Sequence, residues 1–235
     1  MSKKISLQLS SHEREGLYLV FLDETRLDFT RQNIEKITEE FWKDPSKISP
    51  KTKKEIDFQR CQFCPLKEKG DFCDALRPII PFLELVDKYT SIDEVVAIYK
   101  DRQEIYHISD TTMQEALKYV SILSLTQYCQ AGHKYWKYYS GITPLMDPKS
   151  MANRLYLNIY WLHRGNQEEV NSVAYKFTEE IRITSSNQVK RLSMICKNDA
   201  FLNAFVNTQL ATEFLSMDIE KNLAKSFEDF EKNQF

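Results

Sequence analysis

The sequence predicts an α+β fold, with a small antiparallel β element near the N-terminus, a later β-hairpin and a predominantly helical C-terminal half. Residues 5–9 alternate apolar and polar side chains, and residues 17–22 form a compact apolar run, as strands do. The seven prolines all lie between Pro45 and Pro148, and Gly165 is the single glycine or proline after that point. Residues 149–235 should therefore be almost entirely helical.

The N-terminal 60 residues divide into strands, a helix and a connector. Segments 5–9 and 17–22 predict two antiparallel strands, and residues 26–29 are a candidate third strand. A helix over residues 31–42 would place Ile34, Ile37 and Phe41 on one face. Residues 43–60 carry two prolines and several lysines, which predicts a polar connector that leads to the cysteines.

The middle of the chain predicts a hairpin between two helices. A helix after Cys73 would hold Pro78 and Pro81 in its first turn and turn Phe82, Leu83 and Val86 inward. Residues 95–99 and 104–108 predict a hairpin with a four-residue turn. Asp110 or Thr111 would cap the next helix, which ends at Cys129 with Gly132 as its C′ residue. The apolar stripe of that helix is Met113, Ala116, Leu117, Val120 and Leu123.

Three or four helices should complete the chain. Pro148 opens a helix that runs to Gly165, and the next carries apolar residues from Val170 to Ile195 with a break near residues 185–187. The last helix has an apolar stripe formed by Leu215, Ile219, Leu223, Phe227 and Phe230. We expect one domain over residues 1–235, with sub-regions at 1–42, 43–132 and 133–235.

Bulk properties favour a cytoplasmic protein. The formal net charge is −2, and the first residues contain no apolar run long enough for a signal peptide or a membrane span. In a reducing compartment, clustered cysteines are typical of metal ligands rather than disulfides.

Three of the five cysteines, Cys61, Cys64 and Cys73, lie within residues 61–73. Thiols at this density predict a metal or an iron–sulfur cluster. The fourth ligand is predicted to be Cys129, because a side chain at a helix end before a glycine can point into a loop. His133 is the alternative, and His107 and Cys196 are further candidates. Cys196 lies in the apolar phase of a later helix, where a lone cysteine is usually a small buried hydrophobe.

The cofactor is predicted to be a [4Fe–4S] cluster, with structural zinc as the alternative. Pro65 follows the second cysteine, and its ring fixes φ and removes the N–H that a zinc knuckle uses there. A Cys-Pro pair is typical of iron–sulfur ligands. Cys73 near a helix N-terminus would favour a thiolate, and nearby cations could offset its charge. These cations are Arg60, Lys67, Lys69 and Arg77.

The order Cys61-x-x-Cys64-Pro65-Leu66, Cys73-Asp-Ala-Leu76, hairpin, helix and Cys129 resembles a family of uncharacterised bacterial proteins. In that family a third cysteine precedes a helix and a fourth lies in a Ser-Gly-Cys-Pro turn. This chain has Gln-Tyr-Cys129-Gln at the fourth position, without the Ser-Gly or the Pro. The resemblance spans roughly residues 60–214 and implies a four-cysteine site, but no activity.

Function is less constrained than the cofactor. The sequence contains no phosphate-binding glycine loop, GxSxG or HExxH motif, and we assign no catalytic residue. We therefore expect a non-enzymatic binding or regulatory protein with a protein partner rather than nucleic acid or a membrane. The alternatives are an iron–sulfur electron-transfer component and a zinc-stabilised nucleic-acid-binding protein. The second would use the aromatic and lysine residues of segment 133–139 to stack on bases.

Overall fold

The computed structural model describes residues 15–44, 46, 48–56, 58, 60–66 and 73–217. Within these residues an antiparallel sheet packs against helices and the C-terminal half is helical, which confirms the predicted α+β class. The predicted strand at residues 5–9 and the apolar stripe from Ile219 onward lie outside the described residues.

The described sheet has four strands in the order β2-β1-β3-β4, and all neighbours are antiparallel. Its strands are β1 Gly16–Val20, β2 Arg26–Thr30, β3 Glu94–Lys100 and β4 Tyr106–Thr112. Side chains alternate between the faces, as a pleated strand requires. Leu17 and Leu19 point into the main core, whereas Tyr18 and Val20 join a smaller cluster on the opposite face. The predicted hairpin is confirmed, although five residues (101–105) rather than four connect its strands, and the candidate third strand is β2.

Helix α1 (Arg31–Trp42) has the predicted bounds. The Thr30 hydroxyl caps it by accepting a hydrogen bond from the Asn33 backbone N–H at 3.3 Å. Ile34 is fully buried, with Ile37 and Phe41 packed beside it against the core.

The connector prediction for residues 43–60 is wrong, because the segment contains helix α2 (Pro50–Ile56). Ser49 accepts a hydrogen bond from the Thr52 N–H at 3.0 Å, which caps the new helix. Ile48 and Ile56 are both buried in the main core. These two isoleucines therefore anchor the described part of this otherwise polar segment to the core.

The predicted helix after Cys73 is also wrong in form. Turns lead to a 3₁₀ turn (Ile80–Phe82) and a single helical turn, α3 (Leu83–Val86). Pro78 and Pro81 cannot donate backbone hydrogen bonds, so a regular helix cannot form through them. Phe82, Leu83 and Val86 are nevertheless buried as expected.

The next helical stretch is built in three pieces, α4 (Met113–Ala116), α5 (Lys118–Leu123) and a π-helical turn (Ser124–Tyr128). The predicted cap at Asp110 or Thr111 is wrong: Thr112, the last residue of β4, occupies the N-cap position, and its side chain makes no capping hydrogen bond. The predicted stripe is buried. The fully buried Lys118 ammonium donates to Glu115 and to the Met146 carbonyl oxygen, both at 2.5 Å.

The C-terminal layer contains a 3₁₀ helix (His133–Tyr139), α6 (Pro148–Leu162), α7 (Gln167–Ile195) and α8 (Ala200–Met217). The predicted break near residues 185–187 is wrong, because α7 is continuous. Ser185 and Gln188 are buried, and Ser186 accepts a hydrogen bond from Gln209 of α8 at 3.2 Å. Contacts with the neighbouring helix therefore stabilise this polar stretch. Among the described helices, none is long and apolar enough to cross a membrane.

Two hydrophobic cores meet near the cysteines. The first, called the main core above, lies between the sheet, α1–α5 and the junction of α7 with α8. The second lies around Phe177 among the C-terminal helices. Cys73 packs against both cores, and Cys129 is buried in the second. The boundary between the cores therefore lies at the cysteine-rich part of the chain.

Candidate metal centre

Four cysteines line one small cavity that is partly open to solvent. Cys61 and Cys64 come from the loop after α2, Cys73 begins the turns before the 3₁₀ segment, and Cys129 follows the π-helical turn. Arg191 of α7 completes one wall. The remaining described lining residues are Arg60, Leu66, Asp74, Ala75, Gln130 and Ala131. Segments far apart in sequence thus place four thiols around a single volume.

The first pair is held by a turn and by α7. The Cys64 N–H donates to the Cys61 carbonyl oxygen at 3.0 Å, and Arg60 Nη1 donates to the Leu66 carbonyl oxygen at 2.8 Å. Cys61 is buried, and its Sγ lies 3.9 Å from the carbonyl oxygen of Thr184 on α7. Cys64 is only half-buried, so it lies nearer to solvent than Cys61.

The segment that carries Cys73 is bound to the π-helical turn. Ser124 Oγ donates to the Ala75 carbonyl oxygen at 2.5 Å, and Gln130 Nε2 donates to Asp74 Oδ2 at 3.2 Å. The Cys73 carbonyl oxygen accepts a hydrogen bond from the Leu76 N–H at 3.0 Å. These hydrogen bonds hold the segment that begins at Cys73 against the residues on either side of Cys129.

Cys129 owes its position to a change in helical pitch. Its N–H donates to the Ser124 carbonyl oxygen at 2.9 Å, the i→i+5 bond of a π-helix, and its backbone then becomes extended. Within the same turn, Thr126 Oγ1 donates to the Ile122 carbonyl oxygen at 2.8 Å, a contact that often bends helices. Such π turns recur at functional sites. Cys129 consequently leaves the helix axis and borders the cavity.

Gly132 supports this turn, although not as predicted. Its φ is −84°, so it is not a left-handed C′ glycine, and it precedes the 3₁₀ helix instead. Its N–H donates to Cys129 Sγ at 3.4 Å. A Cβ atom here would lie 2.4 Å from the Leu125 carbonyl oxygen, which explains why a side chain does not fit.

Replacing Gly132 by alanine should therefore destabilise the protein by about 1–3 kcal/mol, the usual cost of overpacking. Urea unfolding would measure this change. Ala131→Gly provides a neighbouring control in which no atom is added. A Gly132→Ala protein as stable as the wild type would show that the π-helical turn can shift to make room.

Burial has the largest effect on the pKa values of the Cys73 and Cys129 thiols. Burial raises the pKa of Cys129 to about 12, and the Gly132 N–H opposes the rise. Burial also raises the pKa of Cys73, whereas the Arg191 guanidinium and the Leu76 N–H act in the opposite direction. The predicted stabilisation of a Cys73 thiolate is therefore outweighed by burial in the free protein. A bound cation would be needed to displace these protons.

The basic residues at the cavity differ from those predicted. Arg60 lines it, but Arg77 lies over the Trp42 ring at 5.1 Å, and residues 67 and 69 are outside the described parts of the chain. Arg191 was missed, because it lies 130 residues from Cys61 in sequence. The available signal was the spacing of Thr184, Gln188 and Arg191, which places three polar residues on one helical face.

The alternative ligands lie elsewhere. Of the described residues, Cys196 ends α7 and packs against the first core, outside the cavity lining. His133 Nδ1 lies 2.7 Å from the Thr126 carbonyl oxygen, and His107 Nε2 lies 3.1 Å from Asp101 Oδ2. Neither histidine lines the cavity.

The aromatic residues of segment 133–139 contribute to the second core. Tyr135 and Tyr139 are buried, with ring centroids 5.1 and 6.1 Å from that of Phe177. Lys134 pairs with the buried carboxylate of Glu180. These two tyrosines are therefore not available to stack on bases.

Across the described parts of the chain, no three His, Cys, Asp or Glu side chains are grouped closely enough to hold one metal ion. No family model, curated protein or solved structure matches the chain.

Proposed function

We propose that the protein is a non-enzymatic binding or regulatory protein that holds a [4Fe–4S] cluster through Cys61, Cys64, Cys73 and Cys129. The observation that carries this proposal is the shared cavity, whose lining includes cysteines from three separate stretches of sequence. Thiolates are the ligands that iron–sulfur clusters use, and a cluster needs a volume between its ligands.

The surroundings of the thiols support an anionic, thiolate-bound group. Arg60 and Arg191 line the cavity, and the Gly132 N–H points at Cys129 Sγ. Positive charge and N–H donors stabilise ligand thiolates and adjust the potential of the bound centre. When bound, a cluster of this kind would supply a one-electron redox centre and cross-link the segments that ligate it.

The positions of the proposed ligands support a regulatory role. Cys61 contacts α7, Cys73 touches both cores and Cys129 ends the π-helical turn. These residues would hold the cofactor at the boundary between the two layers of the fold. Loss of the cofactor would remove a cross-link between the parts of the fold that surround the two hydrophobic cores. A partner protein could detect the resulting loosening of the structure.

Electron transfer is the second candidate. The observation that favours it is that one side of the cavity lies close to solvent. Cys64 is half-buried there, and Gln130, which lines the same cavity, is exposed. A cofactor held there would lie close to solvent on one side, where an electron donor could approach. A reversible one-electron couple would favour this role over a purely structural one.

The proposal predicts that anaerobically purified protein contains about four iron and four sulfide ions per chain and absorbs as a thiolate-bound cluster does. Iron, acid-labile sulfide and zinc analysis with an absorption spectrum would check this. A colourless protein with one zinc ion would replace the cluster by structural zinc, and a metal-free protein would overturn the proposal.

Cys196→Ala is the matched control for that measurement. Cys196 is half-buried beside the first core, and burial raises its pKa to about 12. The variant should keep the full iron content and lose only about 1 kcal/mol of stability, as expected for a small truncation. Loss of iron here would mean that Cys196 belongs to the ligand set.

A further inference from the structure

A buried arginine faces the cysteines from α7. Arg191 is 1% exposed, and its Nη2 lies 3.8 Å from Cys61 Sγ. Its Nη1 lies 3.5 Å from the Phe58 carbonyl oxygen, which fixes the other side of the guanidinium. The positive charge is therefore held at a defined place in the cavity wall.

A guanidinium keeps its proton under all conditions that proteins experience. Burying such a cation is unfavourable unless negative charge lies nearby. Among the described lining residues, Asp74 carries a carboxylate, and the cysteines would add negative charge as thiolates once a cofactor is bound. Asp74 Oδ2 accepts a hydrogen bond from Gln130, on the side of the cavity formed by the residues after Cys129. The Arg191 guanidinium contacts the sulfur of Cys61 as well as the Phe58 carbonyl oxygen.

We propose that Arg191 acts as a fixed counter-charge that makes the cofactor of this cavity easier to reduce and stabilises it in the folded protein. This inference rests on the proposed cluster function. Reduction adds one electron, from an external one-electron donor, to the iron of the cofactor and breaks no bond. The added negative charge is stabilised by a nearby cation, and more strongly inside the protein than in water.

Arg191 lies on the buried side of the cavity, where its charge should have the largest effect on the reduction potential. Cys61 and Cys129 are buried, whereas Cys64 is half-buried toward the opening. Solvent screens charge at the open side, so a cation there has a weaker effect. A cation on the buried side, as Arg191 is, should influence the potential most.

The test is a redox titration with dithionite and mediator dyes on Arg191→Met and on a matched control, Arg182→Met. Arg182 lies on the same helix, is half-exposed and pairs with Glu179 at 3.1 Å. We expect Arg191→Met to make reduction at least tenfold less favourable, which is about 59 mV for one electron. Arg191→Lys should recover part of the loss, and Arg182→Met should match the wild type. An unchanged potential in Arg191→Met would overturn the inference.

Melting temperatures with and without the cofactor provide a second readout. Arg191→Met removes the hydrogen bonds of the guanidinium in both forms, so some loss of melting temperature is expected even in cofactor-free protein. In loaded protein the loss should be larger, because the positive charge next to the cofactor is removed as well. Equal destabilisation in both forms would assign Arg191 a purely structural role and overturn the inference.

The two proposals fail in different ways. A wild-type protein that binds no iron would overturn the cluster function, and with it this inference. A wild type that holds the cluster, together with an Arg191→Met protein of unchanged potential, would overturn only the role of Arg191. Asp74→Asn is a further control, because it removes the carboxylate that lines the cavity. In that background, Arg191→Met should still shift the reduction potential by the same amount.

Discussion

Serine at Cys61, Cys73 or Cys129 is expected to abolish cofactor binding and to lower the melting temperature clearly. Each of these side chains lines the cavity, and the loop near Cys61 contributes few apolar contacts of its own. Metal binding should therefore supply much of the free energy that orders this region. Iron content and thermal unfolding, measured on the same anaerobic preparations, check the prediction.

Two controls define what the loss means. Cys196→Ala removes a thiol outside the cavity lining, and His133→Ala removes the alternative fourth ligand. Both should retain the wild-type iron content. Full iron content in the Cys129→Ser protein, with loss in His133→Ala, would make His133 the fourth ligand. Unchanged iron and melting in all three serine variants would remove the four-cysteine site altogether.

Phe177→Ala should produce the largest loss of intrinsic stability, about 3–5 kcal/mol. Phe177 is fully buried at the centre of the second core. Its ring packs edge-on against Tyr135 and Tyr138, with centroids 5.1 and 5.4 Å apart. Truncation would leave a cavity among these rings, and the close packing of the helices limits how far it can collapse.

Urea unfolding of cofactor-free protein would isolate that effect from metal binding. Tyr175→Ala on the same helix is the control, because its side chain is 70% exposed. It should change the free energy of unfolding by about 0.5 kcal/mol or less. A Phe177→Ala protein as stable as this control would contradict the placement of the second core.

The sequence predicted elements best where the local signal and the packing agree. Helix α1 has a capping threonine followed by an apolar face, and its bounds were predicted correctly. The prediction failed for α2, where Ile48 and Ile56 are the buried apolar residues in the described part of the segment. It also failed at residues 185–187, where contacts with α8 stabilise a polar stretch that local propensity would interrupt.

The candidate site shows the same division. Cys61, Cys64 and Cys73 stand out because they are close in sequence, and Cys129 could be proposed from its position at a helix end. Arg191 could not be proposed, because only the folding of α7 against the cysteine loop brings it to the cavity. Gly132 was noticed, but its role depends on a carbonyl oxygen in the preceding turn, which no local pattern reveals.

The contact between Cys61 and α7 also determines when the site can mature. Thr184 and Arg191, which border Cys61, are synthesised long after the cysteines. A growing chain on the ribosome could expose Cys61, Cys64 and Cys73 well before any wall exists to enclose them. Because domains generally fold as units, the enclosed cavity forms only once α7 has emerged and docked. The proposed cofactor would therefore enter the finished cavity as a late event, after translation has passed α7.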